Sequence, residues 1–200
     1  IPLSWVGTSD LSYNGGHGLY ISGYRLSGAV TVDDSSLNHN AAGGISTGGG
    51  DSGGSHVFTF TDNTVSNNGG TGIWGGANGT QTISGNVVEH NASHGIHTRG
   101  NGTYTIADNS SASNGGRGVY GLYANHVIDH NTVSGNAGGI EVAQGGSYTI
   151  QDNIITDNTS TDGAGIHTLS AWSPDVRITD NTITNNTCTD AGCAIVTIFE

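Results

Sequence analysis

The chain contains no lysine, and its only fixed positive charges are Arg25, Arg99, Arg117 and Arg177. Sixteen Asp and Glu residues leave a formal charge of −12, so nothing neutralises a phosphate backbone and nucleic acid is excluded as a partner. Long apolar runs are missing, which removes a membrane span, and no leader segment is visible. Proline occurs only at Pro2 and Pro174, outside the segments that read as strands, as a hydrogen-bonded ladder requires. Cysteine is limited to Cys188 and Cys193, five residues apart. No His/Cys ligand spacing accompanies them, so they read as a short disulfide staple in an oxidising compartment, not as zinc ligands. A start at Ile1 and a hydroxyl-rich, sparsely charged composition fit a processed extracellular or cell-surface protein.

What fills the chain instead is one phrase, repeated. Its clearest copy is Asn63-Thr64-Val65-Ser66-Asn67-Asn68 followed by Gly72-Ile73. The second Asn of each copy falls at 14, 40, 68, 91, 114, 136, 158 and 186. A spacing of 22 to 28 residues, with additions only between copies, is one turn of a three-sided solenoid whose loops accept insertions. Before the first Asn, apolar residues alternate, as in Phe58 and Phe60, Tyr104 and Ile106, or Tyr148 and Ile150. That is strand periodicity. Further inward positions lie two after the first Asn (Leu11, Leu37, Val65, Val88, Val133, Ile155, Ile183) and at the Gly-aliphatic step. No strict period of six is present, so a left-handed hexapeptide helix is set aside. The expectation is an all-β, right-handed parallel β-helix of about eight coils, forming one domain over residues 1–200 and extending roughly 38 Å at the strand spacing.

The paired Asn residues sit where the path bends. Asn hydrogen-bonds its own turn and tolerates unusual dihedrals, and stacked copies can satisfy one another's amides in an inward ladder. Of six Asn-x-Ser/Thr sequences, those at Asn91, Asn109 and Asn158 occupy these inward bends. Asn78 and Asn101 lie in connecting loops and are the candidate glycosylation sites.

This phrase, from about Leu11 to Ile195, resembles the parallel β-helix repeat family. That family takes in pectate-lyase-like enzymes, alginate lyases and epimerases, phage tail-spike domains and nitrous-oxide-reductase maturation proteins. The resemblance implies the fold and leaves the activity open. The Asp-Pro-His motif of mannuronan epimerases is absent, and the lack of lysine departs from a pectate-lyase-like site.

Residues just after the Gly-aliphatic step point outward in register: Tyr20, Ser46, Trp74, His97, Tyr120, Glu141 and His167. A polysaccharide lyase needs a cation for the developing enediolate of a uronate and a His or Tyr to take the C5 proton. His97, Arg99, Tyr120 and Glu141 supply that set as candidate catalytic residues, with Tyr20, Trp74, Arg117 and His167 as candidate sugar contacts. The same face is equally read as ordinary cross-coil packing. Glu141 has no acidic partner in the adjoining coils, so hydrolysis by paired carboxylates ranks below elimination.

The residue before the first Asn forms a second series, in which Asp34 and Asp62, and Asp152 and Asp180, lie one coil apart. These four are candidate calcium ligands, the one cofactor the sequence suggests. His39, His90, His126 and His130 read as surface histidines. Both ends are apolar, with Ile1, Leu3, Trp5 and Val6 at one and Ala194 to Phe199 at the other, and neither carries a helical or polar cap. The leading expectation is therefore an extracellular structural β-helix that self-associates end to end into a filament. The alternative is a polysaccharide-active β-helix, either a uronate lyase or epimerase or a non-catalytic glycan-binding module.

Overall fold

The computed structural model describes residues 4–22, 28–48, 56–170, 175–190 and 192–199. Ile1, Pro2, Leu3, Arg25, Pro174 and the loop glycines Gly49, Gly50, Gly53 and Gly54 lie outside the described residues. Every strand pairing is parallel, and the chain is a right-handed β-solenoid of seven to eight coils. One coil runs through Gly79–Ser84 on a first sheet, Val87–Glu89 on a second and Ile96–Arg99 on a third. The first and third sheets each hold eight strands in strict chain order, and the second holds six.

The period-two pattern decides what faces inward. Phe60, Ile83, Ile106, Ile128 and Ile150 stack in register on the first sheet, Val65, Val88, Val133 and Ile155 on the second, and Ile73, Ile96, Val119, Ile140 and Ile166 on the third. All are buried, and they form one apolar column. Each coil alone could not bury its inward face; stacking makes the core.

Two Asn ladders line the bends between the sheets. From Asn40 to Asn158, each second-bend Asn gives its backbone N–H and its Nδ2 to the Oδ1 of the Asn in the next coil, at 2.9–3.1 Å. The first bend repeats this from Asn63 to Asn153. Unusual dihedrals fall elsewhere than expected. The residue before each ladder position takes positive φ, as at Asp62 (53°), Asp108 (56°), His90 (55°) and Ser113 (54°), so the ladder Asn itself keeps ordinary geometry. Left-handed backbone swings the chain round the corner, and the Asn side chain then ties it to the next coil.

One histidine departs from the surface reading. His126 is in register with Tyr104 and Tyr148 on the inward side of the first sheet, and its ring stacks at 5.1 Å from Tyr104. Nδ1 lies 3.0 Å from the Ala124 carbonyl and Nε2 2.9 Å from Thr98 Oγ1, so Nδ1–H donates and Nε2 accepts. Gly121 provides the room, since a Cβ there would stand 2.7 Å from Nε2. The position was readable, because His126 occupies the place of Tyr104 in the next copy of the phrase.

Burial holds His126 neutral, lowering its pKa to about 4. In the unfolded chain the ring protonates near the usual 6.5. The native state therefore binds fewer protons than the unfolded state between those values, and stability falls as pH drops from about 6.5 to about 4. The loss expected from this one ring is about 3 kcal/mol. Urea titrations at stepped pH check this: His126→Phe should show a flatter pH dependence over that window than the parent chain.

Candidate active site

The third sheet carries the outward series in one continuous register: Tyr20, Ser46, Trp74, His97, Tyr120, Glu141, His167. Neighbours in such a series are about 4.8 Å apart, so large side chains must stack. Trp74 meets His97 edge-on at 4.2 Å between ring centroids, and His97 lies 4.7 Å from Tyr120. The strip is consequently more closed than an open strand face: His97, Glu141 and His167 are only 7%, 4% and 8% exposed.

Side chains preceding the sheet cover it. His94 packs on both His97 (5.2 Å) and Tyr120 (4.9 Å), and its Nδ1 accepts the backbone N–H of Arg117 at 3.0 Å. That bond leaves the ring proton on Nε2. The Arg117 guanidinium lies 5.4 Å from the Tyr120 ring and is ion-paired to Glu141 Oε2. The same oxygen is 3.1 Å from His167 Nδ1. Glycine makes this crossing fit: a Cβ at Gly138, where φ is 139°, would stand 2.9 Å from Arg117 Cγ. Glu141 is thus engaged from two sides.

His97 has no such partner. Both ring nitrogens are buried and make no hydrogen bond within the described residues, which is costly unless a ligand or water supplies one. Burial, then His94 and Arg99, lower its pKa to about 3, so the ring is neutral and able to accept a proton. Tyr120 moves the other way, raised chiefly by burial and by Glu141, and remains a phenol. Arg99, two residues beyond His97 on the same strand, is exposed, lies 5.5 Å from the Tyr123 ring and has no carboxylate partner among the described residues.

On the N-terminal side of Trp74 the same face opens into a groove of about 520 Å³, lined by His17, Ala41, Ala42, Gly43, Ser46, Gly69, Gly70, Thr71 and Trp74. Tyr20 stands at its far end, 57% exposed and stacked on His17 at 5.6 Å. The structure therefore gathers Trp74, His97, Tyr120, Glu141, His167 and Arg117 into one cluster with Arg99 beside it, and leaves Tyr20 two coils from Trp74 and three from His97. Gly138 and Tyr123 were not signalled by the repeat, because each matters only through a side chain from another coil.

The acidic series is stacked as expected, but its members turn to different neighbours. Thr8 donates to Asp34 at 3.5 Å, while the Asp62 carboxylate lies against Gly85. Among the described residues, the group at metal-ligating separation is Asp129, His130 and Asp152. This cluster could hold a metal ion, with His130 Nδ1 already 2.7 Å from Asp129 Oδ1. Asp180 does not join it. Cys188 and Cys193 form the disulfide, with Cα atoms 5.2 Å apart. Asn78 and Asn101 stack in adjacent coils, Asn78 Oδ1 accepting the Asn101 N–H at 2.7 Å. No helix among the described residues is long and apolar enough to cross a membrane.

An Asn-laddered three-sheet solenoid with a groove and a polar aromatic cluster on one face defines a β-helix protein with a surface site. The chain belongs to the family described as right-handed β-helix region, whose match covers residues 75–199. Two solved structures from Azotobacter vinelandii are similar to it. The mannuronan C-5 epimerase AlgE4 A-module aligns with a TM-score of 0.62 at 15% identity, covering 95% of this chain. The AlgE6 A-module aligns with a TM-score of 0.61 at 18% identity, covering 99%. This chain spans 58% of the length of each, and at such identities the likeness is one of fold. No curated protein matches the chain.

Proposed function

We propose that this is a polysaccharide-active β-helix acting on uronate units at the third sheet. The observation that carries it is His97, a neutral ring with both nitrogens buried and unpartnered, set between Trp74 and Tyr120 and beside the unpaired Arg99. In this reading Arg99 holds the uronate carboxylate, the covering His94 ring turns aside to admit the sugar, and His97 takes the C5 proton as the enediolate forms. Bound carboxylate next to His97 offsets its desolvation and strengthens it as a base. Tyr120, kept protonated, gives its proton to the glycosidic oxygen as the C4–O bond breaks and the C4–C5 double bond forms.

The two groups approach from one side of the sugar, which favours elimination over epimerisation, since an epimerase must return a proton to the opposite face. Incubation with a panel of uronate-containing polysaccharides in D2O separates the outcomes. Chain cleavage with unsaturated ends is expected. C5 deuterium without cleavage would make the chain an epimerase, and neither product would sink the catalytic assignment in favour of a binding module. An extracellular setting accords with the Cys188–Cys193 bond, and glycosylation at Asn78 and Asn101 would go with it.

Calcium fits poorly at the acidic cluster. It takes six to eight oxygen ligands, whereas Asp129, His130 and Asp152 offer two carboxylates and an imidazole, so no step is assigned to it. Self-association is the second reading, for which Trp5, Ile195 and Ile198 offer exposed apolar side chains. Sedimentation velocity over a wide concentration range tests it: growing polymers would support it, and a single slow species would dismiss it.

A further inference from the structure

We infer that the groove beside Trp74 takes neutral sugar units, so that the substrate is a mixed polysaccharide with a uronate set among neutral residues, not a continuous polyuronate. This rests on the polysaccharide reading above and adds the composition of the polymer. Among the described residues, the groove lining contains no Lys, Arg, Asp or Glu. Its polar groups are the Ser46 and Thr71 hydroxyls, backbone amides and His17, whose Nδ1 already accepts the Gly43 N–H at 3.0 Å.

A string of carboxylates there would find no counter-charge among the described lining residues, on a chain whose formal charge is −12. Arg117 is already held by Glu141, and the unpaired Arg99 belongs to the His97 coil, two coils beyond Gly43. Two coil rises are about 10 Å, roughly the Debye length at moderate salt, so Arg99 does little for a charge in the middle of the groove. Among the described residues, Arg99 and Arg117 are the cations at this face, and they serve one uronate, at His97.

The remaining lining suits uncharged rings. Ala41, Ala42, Gly43, Gly69 and Gly70 form a floor of small residues that lets a sugar lie close, and the Trp74 indole, accommodated over Gly76, offers a stacking wall at the cluster end. A coil rise of about 4.8 Å is close to the length of one extended sugar unit. The series His17, Gly43 and Thr71 therefore offers about three subsites along the helix axis.

Isothermal titration calorimetry at low ionic strength tests this with neutral β-1,4-linked hexaoses of mannose, glucose and xylose, against the β-1,4-mannuronate hexamer. At least one neutral hexaose should bind about tenfold more tightly than the mannuronate hexamer. Trp74→Ala should weaken that neutral binding about tenfold, while Arg99→Ala leaves it within about twofold. Equal or tighter binding of the mannuronate hexamer would overturn the inference and leave the uronate chemistry standing. Failure of every hexaose to bind would overturn both.

Discussion

Replacing Asn109 by alanine is expected to remove about 3–5 kcal/mol of stability, a large share of what a domain of this size possesses. Asn109 is 2% exposed and occupies the centre of the first-bend ladder. The two hydrogens of its Nδ2 are shared among three acceptors, the carbonyls of Ile83 (2.8 Å) and Ala107 (2.9 Å) and Asn131 Oδ1 (2.9 Å). Its Oδ1 accepts both the backbone N–H and the Nδ2 of Asn86. Truncation leaves the Asn86 backbone N–H without its acceptor in a place water cannot easily reach, at about 1–3 kcal/mol, and removes the Asn109 donor from the Ile83 and Ala107 carbonyls and from Asn131 Oδ1, each lost hydrogen bond adding about 1 kcal/mol.

Asn109→Asp should be at least as damaging. It keeps an acceptor for Asn86 but sets a carboxylate against the Ile83 and Ala107 carbonyls and Asn131 Oδ1. The control is Asn101→Ala, an exposed loop position expected to change stability by less than about 0.5 kcal/mol. Urea unfolding decides the matter through the midpoint at constant slope. A loss below about 1 kcal/mol for Asn109→Ala would mean that water substitutes in the ladder, and that packing alone holds the coils.

The second large effect concerns turnover. His97→Gln should lower kcat/KM on the cleaved polysaccharide by about 10²–10⁴, the range ascribed to a positioned general base. Glutamine keeps a comparable polar shape between Trp74 and Tyr120, so thermal stability should change little. The pH profile carries a further signature. With the His97 pKa near 3 in the free protein, the acid limb of kcat/KM should lie well below the pH 6.5 of an ordinary histidine. If Tyr120 must be protonated, its raised pKa carries the alkaline limb above the usual tyrosine range. A narrow bell centred near neutrality would reject both assignments.

The fold was readable because its determinants are local and repeated. Asn63 and Asn68, Val65, and Gly72-Ile73 recur at one-coil spacing, and a period of that kind has one economical solution. Even the outward series from Tyr20 to His167 followed from counting, since parallel in-register strands keep equivalent residues side by side. His126 was misread as a surface residue although its position matched Tyr104, because histidine seldom serves as a core side chain and the glycine that admits it, Gly121, lies on another sheet. The left-handed turn residue was misplaced by one position, since both members of pairs such as Asp108-Asn109 tolerate that conformation.

Less of the site was legible. Counting placed Trp74, His97, Tyr120, Glu141 and His167 side by side on one face, yet the sequence carried no sign that Arg117 would reach across a coil to Glu141. It did not show that Glu141 and His167 would be covered, or that His97 alone would be left without a partner. It offered Asp152 with Asp180 as metal ligands, whereas the group at metal-ligating separation among the described residues is Asp129, His130 and Asp152. Such outcomes depend on rotamers and on gaps left by distant glycines, and neither has a period.

The amino-acid sequence by itself determined the coil, the stack, the inward column and the register of the outward series on the third sheet, because hydrophobic alternation and turn preference act within a few residues and repeat. Only the tertiary structure decided which displayed side chains are spent on one another and which remain free. Charges and hydrogen bonds on neighbouring coils lie within 3–5 Å in space while standing more than twenty residues apart in the chain, so their pairing is settled by stacking and not by local order.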